Sequence, residues 1–399
     1  MKKYPLKERL RQLAHKLTFQ VIMNIGILKE DTRYERRVAL TPAAVLSLVE
    51  NEHSVYIEQN AGFAARFKDE EYEKVGARIV YTSDEVFGRS EILLKISPLA
   101  EMECSKLSEG QVLFSFLHLA ISRNTILKSL LEKGICSIGY ELIEDEKGNL
   151  PVLQEMSEIA GMMSIQIAAR YLESTNNGRG IVLGGITGIP PATVVVLGAG
   201  TVGSAAVRMA IGAGAEVIVL DKDLNRLRIL ENRFNYRITT GIANYYNIKK
   251  ALQFADVVVG AVLLKGERAP HLITEDIVKQ MKAGSIIVDV SIDQGGCVAT
   301  SHPTTFENPT FIVHDVIHYC VPNIPASVAR TATYGLTNAL LPYVLEIAEK
   351  GIDRALHENI GLSRGLCTFN ELCTNEAIAR RFDVQHFDIH SLLNKENVL

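Results

Sequence analysis

The segment that most restricts the fold is TVVVLGAGTVG, residues 193–203. A short β-branched run ends in Gly198, Gly200 and Gly203, and an apolar, helix-forming stretch follows. Between a strand and a helix this spacing makes a dinucleotide-binding turn. The first glycine turns the chain, the second lets a pyrophosphate approach the backbone, and the third lets helix and strand pack closely, while the helix N-terminus attracts the anion. The next apolar run, EVIVLD, ends in Asp221, placed to accept hydrogen bonds from both ribose hydroxyls. A carboxylate there repels a 2′-phosphate, so NAD is expected rather than NADP. Lys222, Arg226 and Arg228 stand nearby; Arg226 is kept as a candidate cofactor contact, although such a run also reads as a solvated helix face.

The rest of the chain repeats the alternation that a Rossmann turn demands. NIGILK, TPAAVLSLVEN, SVYIEQ, KDEEYEKVG and RIVY read as strand, helix, strand, helix, strand, with Thr41 and Pro42 as a helix start. EILLKI, QVLFSFL, the helix SRNTILKSLLEKG and the strand CSIGYE continue it. A helix over roughly Ser157 to Glu173 leads into a Gly-rich segment, and a second alternation follows through ADVVVGAV and SIIVDVSI to the long helical stretch SVARTATYGLTNALLPYVLEIAEKG. This pattern predicts an α/β protein of two Rossmann-like, doubly wound domains, the first discontinuous, with an N-terminal helical extension. The expected boundaries are 1–21 for the extension, 22–170 with 326–399 for a substrate domain, and 171–325 for the cofactor domain.

Composition excludes several classes. At 399 residues the chain exceeds one ordinary core, and 47% hydrophobic with 22% charged residues is the balance of a globular protein. A formal net charge of -4 gives no electrostatic reason for a nucleic-acid partner. No apolar run approaches the length of a membrane span. In the basic N-terminal segment Leu6, Leu10, Leu13 and Leu17 form one apolar stripe, read as an extra helix packed on this protein or a neighbouring subunit. The six cysteines show no disulfide or CxxC spacing and are read as reduced thiols of a cytoplasmic protein.

The segments KEDTRYERRVALTP, FSFLHLA, MSEIAG, VVVLGAGTVG, GAVL, DVSIDQGG and HDVIHYCVPNIPASVARTATYGLTNA together resemble the alanine dehydrogenases and the related NAD-binding domain of proton-translocating transhydrogenase. The resemblance spans about Met23 to Lys350 and implies reversible deamination of L-alanine to pyruvate and ammonia. It gives Arg37 and His118 places facing the nicotinamide. A guanidinium can hold the carboxylate of pyruvate, and an imidazole suits proton transfer near neutrality. Asp293 matches an acidic residue beside the reacting carbon, with Asp289 as the runner-up. Ser157, Val262, Leu263, Asn323 and Ile324 match cofactor contacts, Asn323 also lying toward the substrate. His314, Asp315, His318 and Cys320 have ligand-like chemistry, but they straddle a strand and loop where structural hydrogen bonding accounts for them, so no metal is expected. The resemblance also implies a homo-oligomer, a hexamer or a dimer.

One motif departs. Where alanine dehydrogenases show Lys-x-Lys-Glu-Pro this chain has Lys95-Ile96-Ser97-Pro98, and Ser97 stands at the second lysine, the substrate contact. Lys95 matches only the first, and alternation along a strand would bring it to the same side as Ser97. Two alternatives therefore stand beside alanine dehydrogenase: action on another amino or 2-oxo acid, as in saccharopine-type dehydrogenases, and an NAD(H)-binding module without turnover.

Overall fold

The computed structural model describes residues 22–119, 122–262, 269–389 and 391. The N-terminal stripe expected to form a helix lies outside them. The chain divides into two compact units: one takes the described residues up to Leu153 and from Ala329 onward, the other is Gln154–Val328.

The first unit is built on six parallel strands: β1 (Asn24–Ile27), β2 (Ser54–Glu58), β3 (Arg78–Val80), β4 (Ile92–Leu94), β5 (Val112–Ser115) and β6 (Cys136–Gly139). They lie in the order β6-β5-β4-β1-β2-β3. This is the doubly wound order, which reverses between β1 and β4 and leaves a crevice at their carboxyl ends. β4 and β5 are buried at every residue, as strands with helices on both faces must be. Thr41 caps the helix Pro42–Glu50, its hydroxyl accepting the Ala44 N–H, and Pro42 takes the first helical position as the sequence predicts.

The second unit repeats the plan with β7 (Thr193–Leu197), β8 (Glu216–Asp221), β9 (Thr239–Ile242), β10 (Val257–Gly260), β11 (Ile286–Asp289), β12 (Thr310–Val313) and β13 (Val316–Tyr319). The order β12-β13-β11-β10-β7-β8-β9 reverses between β7 and β10, and only β12 runs antiparallel, at the edge. The chain then returns through the 22-residue helix Ala329–Lys350 to add β14 (Leu366–Phe369) antiparallel beside β6 and β15 (Leu372–Cys373) antiparallel to β14 at the edge. Asn370 and Glu371, both at positive φ, make the tight turn between them.

Two expectations are corrected. The long helix spans Pro151–Tyr171 rather than beginning near Ser157. The division falls at 153/154 and 328/329, not at 170/171 and 325/326. The cause is packing: Ile165 and Ala168 of that helix, with Leu172 just after it, lie in one apolar cluster with Val194 and Val196 of β7, so the helix belongs with the second sheet. Ile324 is in the same cluster, which draws the segment after β13 into the second unit.

Candidate functional site

In the second unit the glycines of the fingerprint do three different things. Gly198 has φ +109, and a Cβ there would lie 2.3 Å from the Ala261 carbonyl oxygen, so the turn after β7 runs directly against the end of β10 at the point of strand-order reversal. A Cβ on Gly203 would lie 1.9 Å from the Gly198 carbonyl oxygen, so the helix Thr201–Gly212 can sit on the turn only if that residue is glycine. Among the described residues beyond its own chain neighbours, a Cβ on Gly200 would meet no atom within 4 Å. Gly200 is also the N-cap and offers no capping side chain, so the first N–H groups of a 12-residue helix face that open space. Those features fit a pyrophosphate. Asp221, buried at the end of β8, accepts the Ala199 N–H at 2.6 Å and the Asp223 N–H at 2.8 Å, which ties the glycine turn to the next loop. Asp223 caps the helix Leu224–Arg233, and Arg226 at its start is exposed, 3.7 Å from the Asp223 carboxylate.

Further predicted residues gather on the same unit. Val262 donates its N–H to the Ser291 hydroxyl at 2.9 Å; Leu263 lies outside the described residues. Asp293, exposed, accepts the Asn323 N–H at 3.1 Å, and Asn323 holds φ +58, so the loops after β11 and β13 meet there. Ile324 follows, buried. Ser157 lies one turn before Gly161 in the helix Pro151–Tyr171, on the same face. A Cβ on Gly161 would fall 2.2 Å from the Val202 carbonyl oxygen, so this glycine lets the helix touch the first turn of the fingerprint helix. The MSEIAG motif carries that requirement, but its partner is some forty residues away and is not legible in the motif.

The runner-up Asp289 is set apart by its surroundings. It is fully buried, accepts the Cys297 N–H at 3.1 and 3.3 Å, and fills the space beside Gly260 and Gly296, where a Cβ would lie 2.9 Å from its oxygens. Burial pushes its carboxyl up, against hydrogen bonds from Ser301 and Cys297. His318 is also fully buried, bonded to Thr300 at 2.8 Å and the Val316 carbonyl at 3.0 Å, and burial lowers its pKa. His314 pairs with Glu275 at 2.8 Å.

In the first unit the loops after β1, β4, β5 and β6 all open at the carboxyl edge, and each delivers an ionisable side chain. Arg37, 4% exposed, is gripped by Glu35 through two side-chain hydrogen bonds, 2.8 and 2.6 Å, and Glu35 accepts the Arg37 backbone N–H as well. The guanidinium lies 5.5 Å from the centre of the Phe116 ring. His118 stacks on Phe116 at 5.9 Å, its side chain 46% exposed. Its backbone has φ +44, a left-handed conformation that a non-glycine residue holds only when its surroundings impose it. Glu141 imposes it: its carboxylate accepts the N–H groups of His118 at 2.7 Å and Leu117 at 3.3 Å, and lies 3.8 Å from the imidazole Nδ1. Tyr140 sets its ring edge-on to Phe116 at 5.2 Å; burial, with Glu30 close by, raises its phenol well above the ordinary value.

Lys95, 5% exposed, places its ammonium 3.3 Å from Glu30 and 3.1 Å from Glu103. Burial pulls its pKa down, but the two carboxylates outweigh burial and the net direction is upward. Burial raises the Glu30 carboxyl in turn, although Lys95 and the Ile96 N–H oppose it. Glu30 also accepts the Ser97 N–H at 3.3 Å. Phe116, Tyr140, Glu141, Glu30 and Glu103 were not singled out by the sequence. All but Glu103 stand at or just past the end of a strand, which is the only local sign they carry.

Comparison with known proteins identifies the family and the fold. The family described as "Alanine dehydrogenase/PNT, N-terminal domain" matches residues 26–160, and "Alanine dehydrogenase/PNT, C-terminal domain" matches residues 164–376. The chain is 46% identical over 374 residues to an alanine dehydrogenase of Methanococcus maripaludis, covering 94% of this chain and 100% of that one. It is 44% identical to an alanine dehydrogenase of Mycobacterium tuberculosis, over 93% of this chain and 100% of the relative. A solved L-alanine dehydrogenase superposes with a TM-score of 0.87 at 42% identity, over 90% of this chain and 99% of that one. A transhydrogenase from Sinorhizobium meliloti shares the fold, with a TM-score of 0.76 at 21% identity, over 89% and 99% of the two chains.

Proposed function

The chain belongs to the alanine dehydrogenase/PNT family, and on that footing we propose that it catalyses the reversible oxidative deamination of L-alanine to pyruvate and ammonia, with NAD as the cofactor. It is an oxidoreductase. The observation that carries the reading is the arrangement of Arg37 and His118 on one ring: the guanidinium lies 5.5 Å and the imidazole 5.9 Å from Phe116. A 2-oxo acid offers a partner to each of these groups, its carboxylate to the guanidinium and its carbonyl oxygen to the imidazole.

NAD supplies a hydride acceptor and NADH a hydride donor at the nicotinamide carbon. Gly198, Gly200, Gly203 and the start of the fingerprint helix would hold the pyrophosphate, with Ser157 beside it. Asp221 would take the ribose hydroxyls, Arg226 lying near them. Val262, Leu263, Asp293, Asn323 and Ile324 would line the nicotinamide half. In the first unit Arg37 binds the substrate carboxylate, and Glu35 fixes the plane of the guanidinium so that the carboxylate is met in one orientation. His118 takes a proton from the water that attacks the imino carbon in deamination and, in amination, returns it to the hydroxyl that leaves as water. Glu141 holds the imidazole in place. Asp293 places the water or ammonia, and Asn323 contacts the substrate. Lys95 adds positive charge, moderated by Glu30 and Glu103.

Among the described residues no helix is long and apolar enough to cross a membrane, and the six cysteines are buried thiols. We place the enzyme in the cytoplasm as a homo-oligomer, a hexamer or a dimer, without a metal and without a nucleic-acid partner. Ser97 supports a second reading, action on another 2-oxo or amino acid, because a serine cannot bring the charge of the family's lysine to the substrate. NADH oxidation with ammonia, measured with pyruvate and a panel of other 2-oxo acids, separates the two. Rapid use of pyruvate upholds the first. Tight NADH binding without turnover of any 2-oxo acid overturns both and leaves a binding module.

A further inference from the structure

Beneath the loop that exposes Asp293 lies a buried cluster with no part in the chemistry proposed above. Gly260 ends β10, Asp289 ends β11, and the two residues are paired across the strands. Cys297, fully buried, closes over both ends. Its backbone N–H reaches the Asp289 carboxylate at 3.1 and 3.3 Å, and its thiol lies 3.5 Å from one of the same oxygens. A Cβ on Gly260 would fall 2.5 Å from the Cys297 sulfur, so the sulfur fills the place that a side chain at 260 would take. We propose that Cys297, seated on Gly260 and held by Asp289, is a positioning residue for hydride transfer, setting the spacing of the loops after β10 and β11 and so of Val262 and Asp293 around the nicotinamide. The inference rests on the dehydrogenase reading above and adds a residue that acts through those loops rather than on the substrate.

Both loops are tied to this cluster at defined points. The loop after β10 begins at Val262, whose N–H is accepted by the Ser291 hydroxyl at 2.9 Å. Ser291 belongs to the short turn Val290–Gln294 that presents Asp293. Burial, and Asp289 after it, push the Cys297 thiol well up, while a hydrogen bond from Ser291 opposes them. Gly296, at φ +80, closes the turn by donating its N–H to the Ser291 carbonyl at 3.0 Å. Cys297 comes next, and its own carbonyl accepts the Leu272 and Ile273 N–H groups at 2.8 and 3.2 Å, which anchors the far end of the loop. Most of these are backbone bonds that any residue at 297 could keep. What the sulfur adds is volume against Gly260: without it a space opens between the strand ends, and the packed groups around it settle inward. Hydride transfer depends on positions held to a fraction of an ångström, so a small settling of either loop is costly.

The test compares the wild type with Cys297→Ala, Cys297→Ser, Gly260→Ala and the double variant Gly260→Ala/Cys297→Ala. Thermal unfolding, NADH titration, the emission of bound NADH, and single-turnover hydride transfer to the 2-oxo acid that the wild type uses fastest are measured on each. Cys297→Ala should slow hydride transfer roughly ten- to hundredfold while the NADH dissociation constant stays within about threefold, because the pyrophosphate turn is untouched. The emission of bound NADH should move from that of the wild-type complex toward that of free NADH, a readout that needs no turnover. Cys297→Ser, with a smaller atom that keeps a hydrogen bond to Asp289, should fall between. Gly260→Ala alone overpacks the sulfur and should lower the Tm. In the double variant the methyl at 260 refills the space the sulfur leaves, with a small shift of the Asp289 oxygen that lies 2.9 Å from it, and both rate and emission should recover most of their loss. Rate and emission unchanged in both Cys297 variants, a loss of rate matched by an equal loss of NADH affinity, or a folded double variant as slow as Cys297→Ala would overturn the positioning role and leave the dehydrogenase reading standing. A wild type that binds NADH and reduces no 2-oxo acid overturns the dehydrogenase reading, and this role with it.

Discussion

The two glycines Gly200 and Gly203 allow cofactor binding and fold stability to be separated by a single methyl group. At Gly203 that methyl would lie 1.9 Å from the Gly198 carbonyl oxygen and 3.3 Å from a Val196 methyl. Carbon-to-oxygen contacts normally open to about 3.4 Å, so the turn or the helix must move by roughly 1.5 Å. Overpacking of that kind costs about 1–3 kcal/mol, and for a unit of this size Gly203→Ala should lower the apo-protein Tm by about 2–12 °C. At Gly200 the methyl meets no atom within 4 Å among the described residues beyond its chain neighbours. Its backbone, φ -79 and ψ -162, is extended and open to any residue. Gly200→Ala should therefore shift the Tm by no more than about 3 °C. It nonetheless places a carbon where the pyrophosphate is proposed to meet the helix N-terminus. Losing charge-assisted hydrogen bonds worth about 1.5–3 kcal/mol weakens NADH by about 10- to 150-fold. Thermal unfolding without cofactor and a fluorescence titration with NADH read the two effects independently. Gly200→Ala binding NADH as tightly as the wild type would refute the assignment of that space to the pyrophosphate, and a Gly203→Ala protein with an unchanged Tm would refute the packing argument.

His118→Ala should cut turnover by about two to four orders of magnitude with NADH affinity nearly unchanged; steady-state rates beside the same titration check it. Asp221→Ala should narrow the preference for NADH over NADPH, seen as converging dissociation constants. Asp289→Asn should leave turnover near normal, whereas Asp293→Asn should lower it, placing the acidic role on the exposed residue. Because burial raises the Asp289 carboxyl, the folded state holds that proton more tightly than the unfolded chain does. The stability this adds is complete below the ordinary carboxyl range and fades as pH rises through the folded value. Urea unfolding between pH 4 and 7 should therefore show the wild type losing ground to Asp289→Asn as pH rises. Ser97→Lys should raise kcat/KM for pyruvate by about tenfold or more if a cation is what the site lacks, and unchanged kinetics would show that the serine is compensated.

The cofactor turn was legible because its constraints are local. Strand, glycines, helix and closing acid lie within Thr193–Asp221, and each requirement is met by the residue itself. The substrate side was legible only as residue types. Arg37 and His118 stand inside motifs, but what gives them their geometry comes from far along the chain. Glu141 fixes His118 across 23 positions, and β4, β5 and β6 lie side by side only because of the sheet order. Lys95 shows the limit most clearly. Strand alternation placed it beside Ser97, yet β4 ends at Leu94. Its ammonium is taken by Glu30, 65 positions away on the loop after β1, and by Glu103. β1 and β4 are neighbours because the strand order reverses between them, so Glu30 and Lys95 meet at the very crevice where a doubly wound sheet binds its ligand. A lysine held there by two carboxylates brings its charge to the crevice already partly balanced. The sequence could place the charge at the site but not say how far it is balanced, since its partners are brought together only by the topology.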